Sequence, residues 1–561
     1  MRKLELETDL CIVGGGPAGL CTALAAARNG IKVVLMHNRP MLGGNSSSEV
    51  RMHISVDHNY KTRETGIVEE LQLDNFYYNS GLKFSLWDNI LYSKVKEEPN
   101  IKLILNCNCM HASCDNMEIK TISGWQMTTE TWYTVRAKYF ADCSGDAILA
   151  PLTGAAYMIG REDKKAFGES LGQDVADKGV MGMSIIIQFR ETDRKQIFIP
   201  PTWAHRFSDE KILEGKIHTL DQNFWWIEYG GTLDVLHDDD EIRDELLKIA
   251  YGVVDHLKNQ SDHGLDNWEL EWVGCLPGRR ESRRYVGKHI INQNEVDAGG
   301  AFEDAVAYAS WTMDNHYPEG FYHPGRIAVN YPVPEAWCIP LRSLVARDIK
   351  NLVFAGRNLS ASHLAFSSAR VMGTCCLMGQ ALGTAAALAL KEGKAVDNVD
   401  IPALQQKLMF DDCFIPGLER EVSLITKKAQ TNAEIIRNGI DRGEGNCWIG
   451  EPGEEITLSF ENPQKVSGVR IVFDSDLDRN YNNMPSCYPL KQKRFKLPKT
   501  LVKEYRVVYK DNLGVEHSFT ISDNHQRLVI HEISDEITQI SLFPLSSWGD
   551  SAMRIFAFEV Y

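Results

Sequence analysis

Three glycines near the start of the chain, Gly14, Gly16 and Gly19, stand in the pattern G-x-G-x-x-G, with Pro17 and Ala18 between the second and third. The pattern follows the apolar run "LCIV" and opens the alanine-rich run "AGLCTALAAAR", so it falls where a strand hands over to a helix. The first glycine permits a tight turn, the second lets the backbone approach a pyrophosphate, and the third lets helix and strand pack closely. Amides at the start of such a helix face an anion. The competing reading is a glycine turn that serves only the fold.

The following strand, Ile31 to Met36, runs into His37, Asn38 and Arg39. A dinucleotide fold ordinarily has a carboxylate here to accept hydrogen bonds from ribose hydroxyls. A neutral imidazole, or Asn38 beside it, can accept the same bonds without a charge. A histidine at a strand end is equally an ordinary solvent-facing residue.

Other side chains invite chemistry. "RRESRR" gathers Arg279, Arg280, Arg283 and Arg284 around Glu281. Such a cluster suits an anionic substrate or a cofactor phosphate, and equally an ion-paired scaffold loop. His316, Tyr322 and His323 invite a metal, but their spacing fits no usual ligand set and no metal is expected. Cys107, Cys109, Cys114 and His111 lie in a stretch that alternates like a strand, which favours buried thiols over a metal knuckle. Trp225, Trp226 and Tyr229 offer flat faces to a sugar ring. Adjacent residues on a strand point to opposite sides, so one tryptophan belongs to the core.

The elements that must position these groups are legible in outline. Residues 8–36 read as strand, glycine turn, helix and strand, a βαβ opening. Farther on, "DDDEIRDELLKIAYGVVDHLKN" places Ile242, Leu246, Ile249, Val253 and Leu257 at helical spacing, with acids at the start that suit a helix N-terminus. "IKNLVFAGRN" and the small-residue run after it return to dinucleotide-fold character. The last part reads as many short strands: "EITLSFE", "KVSGVRIVFD", "EYRVVYKD", "HSFTIS", "QRLVIHEI", "QISLFPL" and "RIFAFEVY".

Bulk properties narrow the function. With 43% hydrophobic and 24% charged residues, the 561-residue chain has globular composition and room for two to four domains. Sixty basic against 76 acidic residues, a net charge of −16, disfavour a nucleic-acid groove. Thirteen scattered cysteines without a C-x-x-C pair argue against a disulfide framework and a zinc knuckle. The apolar run Gly379 to Leu390 is too short and glycine-rich to span a bilayer. The N-terminus leads directly into a strand, so the expectation is a cytoplasmic protein, or a periplasmic one if the sequence is a trimmed mature form.

Four segments carry a resemblance: "LGGNSSSEVR", "FADCSGDAILAPLTGAAYMIGRE", "PGRRESRRYVG" and "NLVFAGRNLSASHLAFSSARVMGTCCLMGQALGTAAAL". Together they resemble the FAD-dependent oxidoreductases with two dinucleotide-binding folds, and more narrowly a bacterial family whose members often sit beside carbohydrate-degrading enzymes. The resemblance spans roughly Thr8 to Leu390. It implies FAD as cofactor, with Gly43, Gly44, Asn45 and Ser46 near its pyrophosphate and flavin. Ser144, Gly145 and Asp146 would lie under the adenosine, with Cys143 and Ser144 replacing the more usual small residue and threonine. Gly356 and Arg357 would close over the ribityl and phosphate groups. Gly373 and Thr374 would open a helix whose positive end faces the flavin pyrimidine. It also makes His363 the candidate base for oxidising an alcohol, while Arg51, His53 and Arg283 are candidates to face the substrate.

The expected fold class is therefore α/β: a FAD-binding Rossmann-like fold (1–165 and 346–395) interrupted by an α+β substrate domain (166–345). A helical connector (396–440) and a discoidin-like or galactose-binding-like β-sandwich (441–561) follow. The sandwich either binds carbohydrate or only covers the catalytic body. The expected activity is dehydrogenation of a hydroxyl on a small carbohydrate-like substrate. No second dinucleotide motif and no redox C-x-x-C stand in the sequence, so an external electron acceptor is required: a quinone, a carrier protein or oxygen. A redox-neutral eliminase or isomerase is the alternative, and a non-catalytic carbohydrate-binding protein comes third.

Overall fold

Strand β1 (Arg2–Val13) is exposed or half-buried along most of its first part and wholly buried over Leu10 to Val13, the four residues before the glycine turn. In this computed structural model, which describes residues 1–207, 210–216, 218–260, 263–491 and 496–561, that buried end lies at the centre of a sheet. β1 pairs in parallel with β2 (Val33–Met36) on one side and β6 (Thr131–Asp142) on the other, and β2 pairs in parallel with β3 (Ile101–Ile104). β6 divides one of its edges. Thr131 to Arg136 pair with the hairpin of β4 (Cys107–Asp115) and β5 (Glu118–Gln126), and Phe140 to Asp142 pair in parallel with Leu352–Phe354. The late strand thus returns to the early sheet, as an interrupted dinucleotide fold requires.

Helix α1 (Pro17–Arg28) packs against the closing helix Met372–Glu392 through two glycines. A Cβ at Gly379 would lie 2.2 Å from the Ala18 carbonyl oxygen, and one at Gly383 would lie 2.3 Å from that of Thr22. Small residues are what let the two backbones approach. The closing helix begins before the apolar run expected from the sequence, and its 21 residues are long and apolar enough to cross a bilayer. Its most apolar window is nonetheless 89% buried inside the protein, which is the environment of a core helix.

Between these segments the chain forms small sheets and the helix Asp239–Asp255, which buries Ile242, Leu246, Ile249 and Val253 at the expected spacing. They join a core that includes Trp226 and Phe321. All thirteen cysteines are free thiols; Cys107 is buried in β4 and Cys114 exposed, as in an ordinary strand.

The chain divides into two compact units: Met1–Val56, Leu82–Leu404 and Asn482–Lys493 form one, and Asp57–Gly81, Gln405–Tyr481 and Arg494–Tyr561 the other. Residues 57–81, expected in the first dinucleotide segment, thus cluster with C-terminal residues. Glu69 explains the attachment, since it is buried and bridged to Arg479 within that second unit. The second unit carries a seven-stranded antiparallel sheet consistent with a β-sandwich. Strands that read as separate in the sequence are continuous here, as Ile456–Phe473 and Leu528–Ser547, because register shifts rather than turns redirect them. A buried ion network of Arg420 and Arg470 with Asp441 and Glu559 holds its interior.

Candidate functional site

A cavity of about 800 Å³ opens beside the glycine turn, within the first unit. The three glycines meet three different demands. Gly14 has φ 106°, and a Cβ there would lie 2.4 Å from the Cys143 carbonyl oxygen. At Gly19 a Cβ would lie 1.8 Å from the Gly14 oxygen, so the helix can pack on the turn only without a side chain. At Gly16 nothing lies nearer than Gly44 Cα, 3.9 Å away, so substitution there would fill the cavity rather than strain the fold. Helix α1 starts with proline and has no side-chain cap, leaving its N-terminus open to an anion. Gly14, Gly16, Pro17, Ala18 and Gly44 line the cavity.

His37 also lines it, but its ring nitrogens are committed. Nδ1 accepts from the Gly15 N–H at 2.9 Å, so Nε2 carries the hydrogen donated to the Met41 carbonyl, also at 2.9 Å. Burial pulls the ring down to about 4, so it is neutral, as expected from the sequence. Contrary to that reading, it has no nitrogen left for a ribose hydroxyl; it ties the glycine turn to the segment after β2. Asn38 and Arg39 line the cavity. So does a carboxylate missed in the sequence, Glu49, whose titration burial raises while Arg39 opposes.

Asn45 lines the cavity and donates to the Arg279 carbonyl at 3.2 Å. Gly43 and Ser46 do not reach the wall: Gly43 turns the chain with φ 105°, and the Ser46 hydroxyl donates to its carbonyl at 2.8 Å. Ser144, Gly145, Asp146, Gly356 and Arg357 do line it. Asp146 accepts from Arg279 and Arg357, each at 2.6 Å, and from Ser282 at 2.7 Å. Burial opposes its charge, but Arg357 and Arg279 outweigh burial and hold the carboxyl well below its usual range.

The closing helix turns a different face to the cavity than expected. Val371, Met372 and Cys375 line it at helical spacing, whereas Gly373 donates its N–H to the Ser55 carbonyl and Thr374 is fully buried. Among the described residues the Thr374 hydroxyl has no hydrogen-bond partner.

The expected catalytic residues separate. His363 is buried and does not line the cavity: Nδ1 faces Glu281 at 3.0 Å and Nε2 faces Asn315 Oδ1 at 2.8 Å. Glu281 also pairs with Arg284, at 3.3 Å, so this half of "RRESRR" is scaffold. Arg51 is likewise off the wall. It donates to Gln188 at 2.9 Å and stacks over the Trp272 ring, while its neighbours Val50 and Met52 face the cavity. His53 Nδ1 contacts Asn223. Arg279, Arg280 and Arg283 do reach the wall.

The histidine on the wall is His316. Its Nδ1 lies 2.6 Å from Glu228 Oε2, and its Nε2 lies 3.1 Å from Asp314 Oδ2. Burial opposes charge on both acids. Arg280 and then His316 outweigh it at Glu228, and His316 followed by Arg370 at Asp314, so both carboxyls lie below their usual range. Asp314 and His316 are two apart on the strand Met313–His316, hence on one face, which is the signal the sequence carried for them. Tyr322 instead bonds Glu245, and His323 stacks on Tyr317, so the three residues that invited a metal are not brought together. Trp225 lines the cavity with its ring edge-on to His316, and Trp226 is the core member of the pair.

A model of the family described as FAD dependent oxidoreductase matches residues 9–408. No curated protein matches the chain. Among solved structures, the FrdA chain of the E. coli quinol fumarate reductase is similar over 73% of this chain and 74% of its own, at 13% identity and a TM-score of 0.30. A geranylgeranyl bacteriochlorophyll reductase-like protein from Thermoplasma acidophilum is similar over 73% of this chain and 85% of its own, at 10% identity and a TM-score of 0.32. The family 32 carbohydrate-binding module of Streptococcus pneumoniae EndoD is similar over 25% of this chain and 99% of its own, at 14% identity and a TM-score of 0.20.

Proposed function

The chain belongs to the FAD dependent oxidoreductases, and from that premise we propose that it dehydrogenates a hydroxyl group of a sugar, glycoside, polyol or related acid and passes the electrons to an external acceptor. The observation that carries this reading is a single cavity lined both by the glycine turn with its open helix N-terminus and by the His316 wall. The residues present fit FAD. Gly16 leaves a backbone cradle that a Cβ would fill, and Asn38, Arg39 and Glu49 stand where the far end of a nucleotide needs polar partners.

Bound FAD supplies the two-electron acceptor for the hydrogen leaving carbon. The chain must take the hydroxyl proton. Each nitrogen of His316 faces a carboxylate, so Glu228, His316 and Asp314 form one hydrogen-bonded unit. The hydroxyl proton passes to this unit at the cavity wall, at His316 Nε2, which Asp314 Oδ2 faces at 3.1 Å. Arg280 and Arg370 keep the two carboxylates charged and in place. Trp225 and Trp311, both on the wall, offer apolar faces beside Asp314 and Asn330, a mixture that suits the C–H faces and hydroxyls of a carbohydrate.

Turnover with an artificial electron-accepting dye tests the proposal. One equivalent of dye reduced per equivalent of carbonyl product is the expected stoichiometry. A product isomeric with its substrate, or one formed by eliminating water, with no dye consumed, would replace dehydrogenation by redox-neutral chemistry.

A further inference from the structure

Three histidines away from the flavin cavity converge in the first unit. One ring nitrogen from each of His218, His256 and His263 lies within 4.8 Å of the other two. His256 Nε2 and His263 Nε2 are 3.2 Å apart. Two nitrogens bound tetrahedrally to one zinc ion, each at about 2.05 Å, stand about 3.3 Å apart, so this pair is already at ligand spacing. The rings of His218 and His263 are nearly perpendicular, with centroids 5.2 Å apart, so the three are not a stack.

Two further observations point to a ligand. Among the described residues, His218 Nε2 is a buried atom with no hydrogen-bond partner. A buried ring nitrogen normally finds one, because leaving it unpaired is costly. In addition, His256 opens a π-helical turn, His256–Gln260, that continues the helix Asp239–Asp255. Such turns re-aim side chains and gather at functional sites. Lys216 does not occupy the cluster, since its ammonium donates to the carbonyls of His323 and Gly325.

We propose that His218, His256 and His263 form a binding site for one divalent metal ion of the zinc class, with a fourth position open to water or an anion. Imidazole nitrogens suit zinc, and a three-histidine set leaves that position free. The ion would pin the end of the helix Asp239–Asp255 to the two segments that carry His218 and His263. No sequence motif announces the set, because His218 stands far along the chain from His256 and His263. None of the three lines the flavin cavity, so the proposal stands or falls apart from the oxidoreductase reading.

The test uses the full-length FAD-bound protein without a histidine tag, stripped with a chelator, equilibrated with zinc and assayed for metal by elemental analysis after ultrafiltration. The wild type is expected to retain about one zinc per chain. His218→Asn, at a half-buried ring with a nitrogen the fold leaves unpaired, is expected to lose that zinc with its FAD content unchanged, and zinc is expected to raise the Tm of the wild type but not of the variant. A wild type that retains no zinc overturns the proposal. Equal retention by wild type, His218→Asn and His263→Asn also overturns it, by placing the metal elsewhere.

Discussion

The backbone N–H of Gly15 donates to Nδ1 of His37 across 2.9 Å, and the opposite ring nitrogen donates to the carbonyl of Met41. A single neutral side chain therefore holds the phosphate-binding turn against the segment that follows the second strand. Burial of the ring, followed by the nearby Arg39, disfavours its protonation, so the buried neutral state has a pH signature. The ring titrates near 4 in the folded protein against an ordinary 6.5. The unfolded chain binds the proton first, so the contribution is complete above about pH 6.5, falls as pH drops through that window, and is gone near pH 4. Its size is about 3 kcal/mol. Unfolding free energies of wild type and His37→Asn measured between pH 4 and 7 should show a flatter pH dependence in the variant; parallel curves would mean that His37 is not the group responsible.

The glycines of the turn should separate by phenotype. Gly16 has an extended backbone that any residue adopts, and a Cβ there meets no clash, so Gly16→Leu is expected to fold with unchanged circular dichroism and to lose FAD. Gly19→Ala drives a methyl into the Gly14 carbonyl and is expected to cost about 3 kcal/mol or more in denaturant unfolding. Full FAD content in Gly16→Leu would move the pyrophosphate elsewhere.

His316 and His363 make opposite predictions. His316→Gln should keep FAD and lower the rate of substrate-driven flavin reduction by about 100-fold. It should also abolish a rise of kcat/KM with pH, because the deprotonated unit is the base. His363→Gln should leave that pH profile in place and cost about 2 kcal/mol of stability, since Glu281 and Asn315 lose a buried partner. If the profile disappears in the His363 variant and persists in the His316 variant, the proton acceptor has been misassigned.

The adjacent tryptophans give a similar contrast. Trp225→Ala is expected to raise KM with little change in Tm, because its ring faces the cavity. Trp226→Ala removes a side chain that is 2% exposed and should destabilise by about 3–5 kcal/mol. Equal losses of stability in both variants would remove Trp225 from the substrate wall.

The βαβ opening, the helix of Ile242 to Val253 and the return of the chain to its first sheet were all legible, because each rests on local periodicity or on glycines with a steric reason. Legibility ended where contact depends on distant partners. His363 and His316 are both single histidines in polar surroundings, and only the fold reveals that Glu281 and Asn315 enclose the first while the second stands on the cavity wall. The phase of the closing helix was missed for the same reason: a helix made almost wholly of small and apolar residues has no polar face to mark which side meets the cavity. Strands running through bulges, as in Ile456–Phe473, read as two because an irregular register interrupts the alternation without a turn.

In the proposed reaction, a hydroxyl-bearing substrate placed against the His316 wall reduces bound FAD. The most direct measurement is the visible spectrum of the purified protein under anaerobic conditions, recorded as sugars, glycosides, polyols and hydroxy acids are added in turn. The expected result is an oxidised-flavin band that at least one of these compounds bleaches, with slower bleaching in His316→Gln. An oxidised-flavin band that no member of those four classes bleaches would contradict it.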